Sequence, residues 1–238
     1  MKVINYLLKM PIWFVIQVFQ LFGRKDIIES KRWIDGGRAI ILGAVFPLCR
    51  VFRFNGFLLF IPHEKSVVNF LKKLTGKVFI DVGANIGVYT SLLSKNFKVI
   101  YAVEPHPEDA RILRVKLPNC HNVVVVEKAL ANTNGTAFFS YRSQSLEHFR
   151  NEKKIMVETM TLSNFLQTYS IKEADLVKVD VEGAEWKVLE GAEAVLGKIK
   201  SWVIKLHDIG RKNDLEMWFQ KNGYKFQWLD YNHIYAER

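Results

Sequence analysis

The run VFIDVGANIGVYTSLL, residues 78–93, brings an apolar stretch to an end on Asp81 and then turns through Gly83, Asn85 and Gly87. Gly83 permits a tight turn with close backbone approach to a ligand, and Gly87 lets the next helix pack near the strand while leaving the ligand room. Asn85 stands where a dinucleotide site usually carries another glycine, and asparagine is one of the few other residues that tolerate left-handed backbone angles. Glu104 follows Asp81 by 23 residues and Gly87 by 17. A carboxylate at that spacing can accept hydrogen bonds from both the 2′ and 3′ hydroxyls of a ribose, which points to an adenosine-bearing ligand. Asp81 then sorts the candidates. Its charge repels a pyrophosphate but attracts the ammonium or sulfonium of S-adenosylmethionine (SAM). A nicotinamide dinucleotide, as in an NAD(P)-dependent Rossmann oxidoreductase, is the weaker alternative.

The elements around these residues alternate. Short apolar strands are expected at KVFID, KVIYAVE, NVVVVE, ADLVKVD and SWVIKLH. Helical periodicity appears in GVYTSLLSKN, in EDARILRVKL after Pro107, in EWKVLEGAEAVL and in DLEMWFQKN, which ends near Gly223. TAFFSY and IMVETM read as further strands around a polar loop over 142–156, and YKFQWLD with HIYAE as a terminal hairpin-like pair. Such alternation implies a mostly parallel sheet covered by helices on both faces, with ligands bound beyond the carboxyl ends of its strands.

Five segments, VFIDVGANIGVYTSLLSK, YAVEPHPE, VEKALANTNGTAFF, VETMTLSNFL and DLVKVDVEGAEWKVLEGA, resemble in that order the FkbM-type SAM-dependent methyltransferases over residues 76–208. The resemblance implies an α/β, Rossmann-like class I methyltransferase fold with a seven-stranded sheet, SAM as methyl donor, and O-methylation of a sugar, glycolipid or other hydroxylated small molecule. By position, Asp81, Gly83, Asn85 and Gly87 form the cofactor loop, Glu104 holds the ribose and Ala129 lies beside the adenine. Two departures touch the acceptor side. Ser163 stands where the family often has an aspartate after TL, and Lys205 where it often has an acid in the fifth strand.

Methyl transfer to oxygen is an in-line displacement that rests on positioning, helped by a base that takes the hydroxyl proton. Asp180 and Glu182 of KVDVEGAE lie at the mouth of the fourth core strand, on the face of Lys178 for as long as the strand continues. Asp180 is the first choice for a base or substrate ligand, with capping of the next helix as its plain structural role. Glu182 serves equally well at a helix N-terminus. His207, beside Asp208, ends the fifth strand and has a suitable unperturbed pKa. His63, His121, His148 and His233 make no metal-ligand pattern, and the chemistry calls for no metal. A non-catalytic, membrane-associated protein with the same fold is the rival from another class; intact acids at 81, 104 and 180 speak against it.

Residues 1–75 carry 12 Lys and Arg against 4 Asp and Glu, a net of +8, whereas residues 76–238 carry 22 against 20. The overall +10 is therefore no stripe around an active cleft, and no nucleic-acid partner is expected. The 1–75 segment is expected to be a basic, apolar extension with a hairpin at 50–61 turning on Asn55-Gly56, ahead of a methyltransferase domain over 76–238. Within residues 1–25 the apolar stretch from Pro11 to Phe22 is too short for a span, and no small-residue cleavage site follows. Its helical periodicity and basic flanks suit peripheral membrane contact or packing on the domain. Cys49 and Cys120 share no metal spacing and suggest a reducing, cytoplasmic setting. Oligomeric state is left open.

Overall fold

The computed structural model describes residues 64–117, 120–142 and 152–238. Of these, residues 64–139 and 155–238 fall within one compact unit. The 1–25 segment, the 50–61 hairpin and most of the 142–156 loop lie outside the described residues. Among the described residues no helix is long and apolar enough to cross a membrane.

A short helix α1 (Lys65–Leu71) precedes the sheet. Strand β1 (Gly76–Val82), helix α2 (Val88–Leu93), strand β2 (Phe97–Val103), helix α3 (Pro107–Lys116) and strand β3 (Val123–Val126) follow. Next come β4 (Ala129–Leu130), β5 (Gly135–Arg142), β6 (Glu152–Met160) and α4 (Leu162–Thr168). The chain returns through β7 (Leu176–Val179), α5 (Glu185–Glu190) and β8 (Ser201–Lys205), then α6 (Lys212–Lys221), β9 (Lys225–Trp228) and β10 (His233–Glu237).

The main sheet has seven strands in the order β3-β2-β1-β7-β8-β10-β9. The pairs among β3, β2, β1, β7 and β8 are parallel, and β10 runs antiparallel between β8 and β9. This is the seven-stranded, mostly parallel sheet of the Rossmann-like class I methyltransferase fold that the resemblance implies. From β1 the chain winds outward to β2 and β3, then crosses back to β7 on the other side. The switch point, where a crevice must open, thus lies between β1 and β7.

Parallel strands buried on both faces favour continuous apolar runs. Ile80, Val82, Val177, Val179, Trp202 and Ile204 pack against Phe165, Leu166, Val188, Leu189, Leu215 and Phe219 from the helices of one face. Ala84, Ala102 and Leu113 form a smaller cluster elsewhere. A second, three-stranded sheet orders β4-β6-β5, with Ala129 paired to Thr159.

The structure differs from the sequence expectation at EWKVLEGAEAVL, where one helix becomes α5 and a separate 3₁₀ turn over Glu193–Lys198. A close backbone contact marks the break. The backbone at Gly191 packs so closely on the Ala131 carbonyl that a Cβ there would lie 2.1 Å from its oxygen. Helix α4 adds an element that periodicity did not single out. Thr161 caps it, its Oγ1 accepting from the Asn164 amide at 3.1 Å, and Leu162, Phe165 and Leu166 fill its buried face.

Among the described residues, Trp202 is the largest fully buried side chain, set in β8 between β7 and β10. Trp202→Ala is expected to cost about 3–5 kcal/mol through lost burial and the cavity left behind, measured by denaturant unfolding. A loss below about 1 kcal/mol would contradict this packing.

Candidate active site

The register sets the site. Asp81 in β1 is level with Ala102 in β2 and Lys178 in β7, and Val82 is level with Val103 and Val179. Val179 is level with Ile204 in β8. Gly83, Glu104, Asp180 and Lys205 therefore stand side by side at the carboxyl ends of four adjacent strands.

In the first half of the site, Gly83, Asn85 and Gly87 all take positive φ, at 77°, 50° and 83°. The Gly83 and Ala84 amides both donate to the Val103 carbonyl, at 2.9 and 3.0 Å, pinning the loop to the end of β2. A Cβ at Gly83 would lie 2.0 Å from the Asp180 carbonyl oxygen, and one at Gly87 2.3 Å from Leu113 Cδ2. Glu104 closes the loop from the β2 side. Its Oε2 accepts from the Asn85 amide at 2.7 Å and its Oε1 from the His106 amide at 2.9 Å. Each carboxylate oxygen keeps a second acceptor direction for ribose hydroxyls. Burial pushes the Glu104 carboxyl up to about 7, against the pull of those two amides. Ala129 sits half-buried three residues past the end of β3, whose Val126 carbonyl accepts from the Glu104 amide at 2.9 Å.

Asp81 lies beneath the loop and is wholly buried. Its Oδ2 accepts from the Thr90 hydroxyl at 2.7 Å, while its Oδ1 has no hydrogen-bond partner among the described residues and lies 3.6 Å from Lys178 Nζ. An orphaned, buried carboxylate oxygen under a glycine cradle fits a cationic ligand bearing N–H donors. It acts from below the turn rather than from an open wall.

In the second half, Lys178 is almost fully buried and lies between Asp81 and Asp180, with its ammonium 4.4 Å from the Tyr89 ring centre. Lys205 lies 3.7 Å from Asp180 Oδ2 and 3.0 Å from Glu64 Oε1. Glu64 also accepts from the Tyr89 hydroxyl at 2.5 Å. Burial works against the Asp180 charge, but Lys178, Lys205 and His207 outweigh it and hold the carboxyl below its ordinary value. Asp180 is ionised and does not cap the following helix with its side chain.

Glu182 departs from the expected strand face because β7 stops at Val179. It occupies a turn at φ 52°, and its side chain is 83% exposed. His207 is drawn to this turn. Its Nε2 lies 3.2 Å from Glu182 Oε2 and 3.8 Å from Asp180 Oδ1, and its Nδ1 lies 2.7 Å from Oε1 of the buried Glu185. Hydrogen bonds to Glu182 and Glu185 push the imidazole up to about 10, so at neutral pH it is a cation and holds no free lone pair for a proton. Asp180, Glu182 and His207 thus converge, on the far side of Gly83 from Glu104.

The profile of the methyltransferase FkbM domain matches residues 81–226. The chain belongs to the FkbM methyltransferase family. This is a family of SAM-dependent enzymes, and its matched region includes every site residue from Asp81 to His207. Among curated proteins, the hexuronic acid methyltransferase AglP of Haloferax volcanii is 25% identical over 134 residues. The match covers 55% of this chain and 56% of AglP, so the chain spans little more than half of that relative's length. Among solved structures, methyltransferase FkbM from Methylobacillus flagellatus KT aligns with TM-score 0.49 and 13% identity, covering 91% of this chain and 60% of that one. TrmK of M. capricolum, solved with S-adenosyl-homocysteine, aligns with TM-score 0.44 and 15% identity over 72% of this chain and 66% of its own.

Several site residues carried no signal of their own. Glu185 and Lys178 read as helix and strand residues, and Glu64 lies 141 positions from the lysine it binds.

Two outcomes follow from this geometry. Gly83→Ala is expected to cost about 2 kcal/mol or more, since a left-handed alanine loses roughly 1–2 kcal/mol before the Asp180 carbonyl is displaced; denaturant unfolding measures it. Glu104 titrates near 7 folded and near 4.5 unfolded, so between these values the folded chain holds the extra proton. Stability therefore falls as pH rises from about 4.5 through about 7. Glu104→Gln should remove that part of the slope in unfolding free energy against pH, and an unchanged slope would rule out the burial argument.

Proposed function

We propose that the chain transfers a methyl group from SAM to a hydroxyl of a sugar, a glycolipid or a similar hydroxylated metabolite. The observation that carries this reading is the pairing of two carboxylate-lined half-sites across Gly83. Glu104 and Asp81 suit an adenosyl cation on one side, and ionised Asp180 faces the acceptor region on the other. The kinship with a hexuronic acid methyltransferase supports a saccharide acceptor.

When bound, SAM supplies an electrophilic methyl group on a sulfonium. Glu104 would take the ribose hydroxyls on its free acceptor directions, and Ala129 would flank the adenine. The turn Gly83–Asn85–Gly87 leaves backbone room, and Asp81 supplies negative charge from beneath it. Asp180 would accept the hydrogen bond of the acceptor hydroxyl, fix the line of attack and draw off its proton as the oxygen reacts. The lysines at 178 and 205 hold that carboxylate in place from the opposite oxygen. His207 enters as a cation, which removes it as the resting base and leaves it a positioning role at the turn.

Titration calorimetry with SAM, followed by a tritiated-SAM transfer assay against glucuronate-containing glycans and extracted glycolipids, tests the reading. Asp180→Asn should lower kcat by about 10²–10⁴-fold, with a much smaller effect on SAM affinity because Asp180 reaches the cofactor half only through Lys178. Folded chain that gives no saturable SAM binding would overturn the proposal. Affinity for SAM should also rise as pH passes upward through about 7, when Glu104 ionises, and Glu104→Gln should abolish that rise.

A further inference from the structure

Asp180, Glu182 and His207 each present one donor atom, and these atoms lie within 4.8 Å of one another. The sequence pattern offered no metal site because the three residues come from two separated segments. We propose that they form a divalent-cation site at the acceptor side of the crevice, held by Asp180 Oδ1, Glu182 Oε2 and His207 Nε2.

Three features of the geometry support it. A first-row divalent ion bound at about 2.0–2.2 Å keeps neighbouring donors about 3.0–3.5 Å apart. His207 Nε2 is 3.2 Å from Glu182 Oε2, already within that range, and 3.8 Å from Asp180 Oδ1, so an approach of His207 and Asp180 by a few tenths of an ångström closes the set. His207 is also held as metal-ligating histidines are held. Its Nδ1 is hydrogen-bonded to the buried Glu185 carboxylate at 2.7 Å, which turns Nε2 toward the two acids. Glu185 is itself fixed, its Oε1 accepting from the Gly183 amide at 2.9 Å. Finally, Asp180 divides its oxygens. Oδ2 faces Lys178 at 3.5 Å and Lys205 at 3.7 Å, and Oδ1 is the oxygen turned to His207. The lysines thus fix the carboxylate without occupying the ligating atom.

Two carboxylate oxygens and one imidazole suit Mn²⁺ or a related first-row ion better than Mg²⁺, which prefers oxygen donors throughout. The ion takes the place of the Nε2 proton, which leaves to solvent. Its role in turnover rests on the transferase reading: open positions on the ion take oxygens of the acceptor and lower the pKa of the coordinated hydroxyl. That hydroxyl gives its proton to solvent and its oxygen bonds to the methyl carbon, whose bond to sulfur breaks with the electron pair left on sulfur. With the ion bound, Asp180 Oδ1 acts on the reacting oxygen through the ion, and the proton that Asp180 would otherwise draw off goes to solvent.

Titration of the full chain with Mn²⁺, read by loss of the free-ion electron paramagnetic resonance signal, tests the site, with SAM calorimetry run on every variant. The expected result is one Mn²⁺ per chain. Glu182→Ala and His207→Gln should each weaken it by at least about tenfold, and Glu185→Gln by roughly 10–100-fold through loss of histidine orientation. SAM affinity should stay within about twofold in all three. Because Glu182 is exposed, its variant tests the site without endangering the fold. An undiminished Mn²⁺ signal at millimolar chain, or binding indifferent to Glu182→Ala and His207→Gln, overturns the proposal. SAM binding without Mn²⁺ binding would remove the metal site and leave the methyltransferase reading standing; Mn²⁺ binding without SAM binding would do the reverse.

Discussion

A line of alternating charge runs through the strand ends: Asp81, Lys178, Asp180, Lys205 and Glu64, each within 3.7 Å of the next. Asp81 and Lys178 are cut off from water. Taking one such charge out of water costs several kcal/mol, and removing one partner of a buried pair typically costs about 3–5 kcal/mol. The members of the line are thus tied to one another. Asp81 can remain beneath a glycine turn because Lys178 lies beside it, and Lys178 can lie in an apolar strand because it has acids on both sides. The parallel register makes this possible by setting Asp81 level with Lys178 and the residues after Val82 and Val179 side by side. The half-site proposed for an adenosyl cation and the half-site proposed to face the acceptor are joined through this one electrostatic unit.

The backbone tightens the same junction. Gly83 meets the Asp180 carbonyl at a distance that no side chain allows, and the amides of Gly83 and Ala84 share the Val103 carbonyl. A turn anchored on both neighbouring strands cannot shift without moving Glu104 on one side or Asp180 on the other. Preorganisation of this kind is what a reaction governed by in-line positioning requires. Here it comes from backbone contact and buried charge together.

The sequence carried most of this arrangement wherever the signal was local. Glycine and asparagine at 83, 85 and 87 announced left-handed angles, and the structure has them. Alternation of apolar strands and amphipathic helices announced a parallel sheet, and the carboxyl-end rule placed Glu104 and Asp180 at one edge. What stayed illegible depends on distant contacts. Nothing near Gly191 reveals the Ala131 carbonyl packed against it, and nothing near His207 reveals Glu185, 22 positions back, or the turn that brings Glu182 to it. A two-residue strand such as β4 is too short for any period to show.

Lys205 illustrates how a local departure from a family pattern is resolved by the fold. Read alone, a lysine in place of an acid at the end of β8 suggests a damaged acceptor side. In the structure, burial works against its charge, but Asp180 and Glu64 more than offset this and keep it a cation. Glu64 comes from the N-terminal edge of α1, ahead of the sheet, and it also holds the Tyr89 hydroxyl. The lysine at the end of β8 is thus matched by an acid from another element, Glu64, as well as by Asp180. Asp180 gains a second cation on its Oδ2 and loses freedom to rotate, so its Oδ1 stays aimed at Glu182 and His207. Lys205 thereby helps to orient the carboxylate proposed to receive the acceptor hydroxyl.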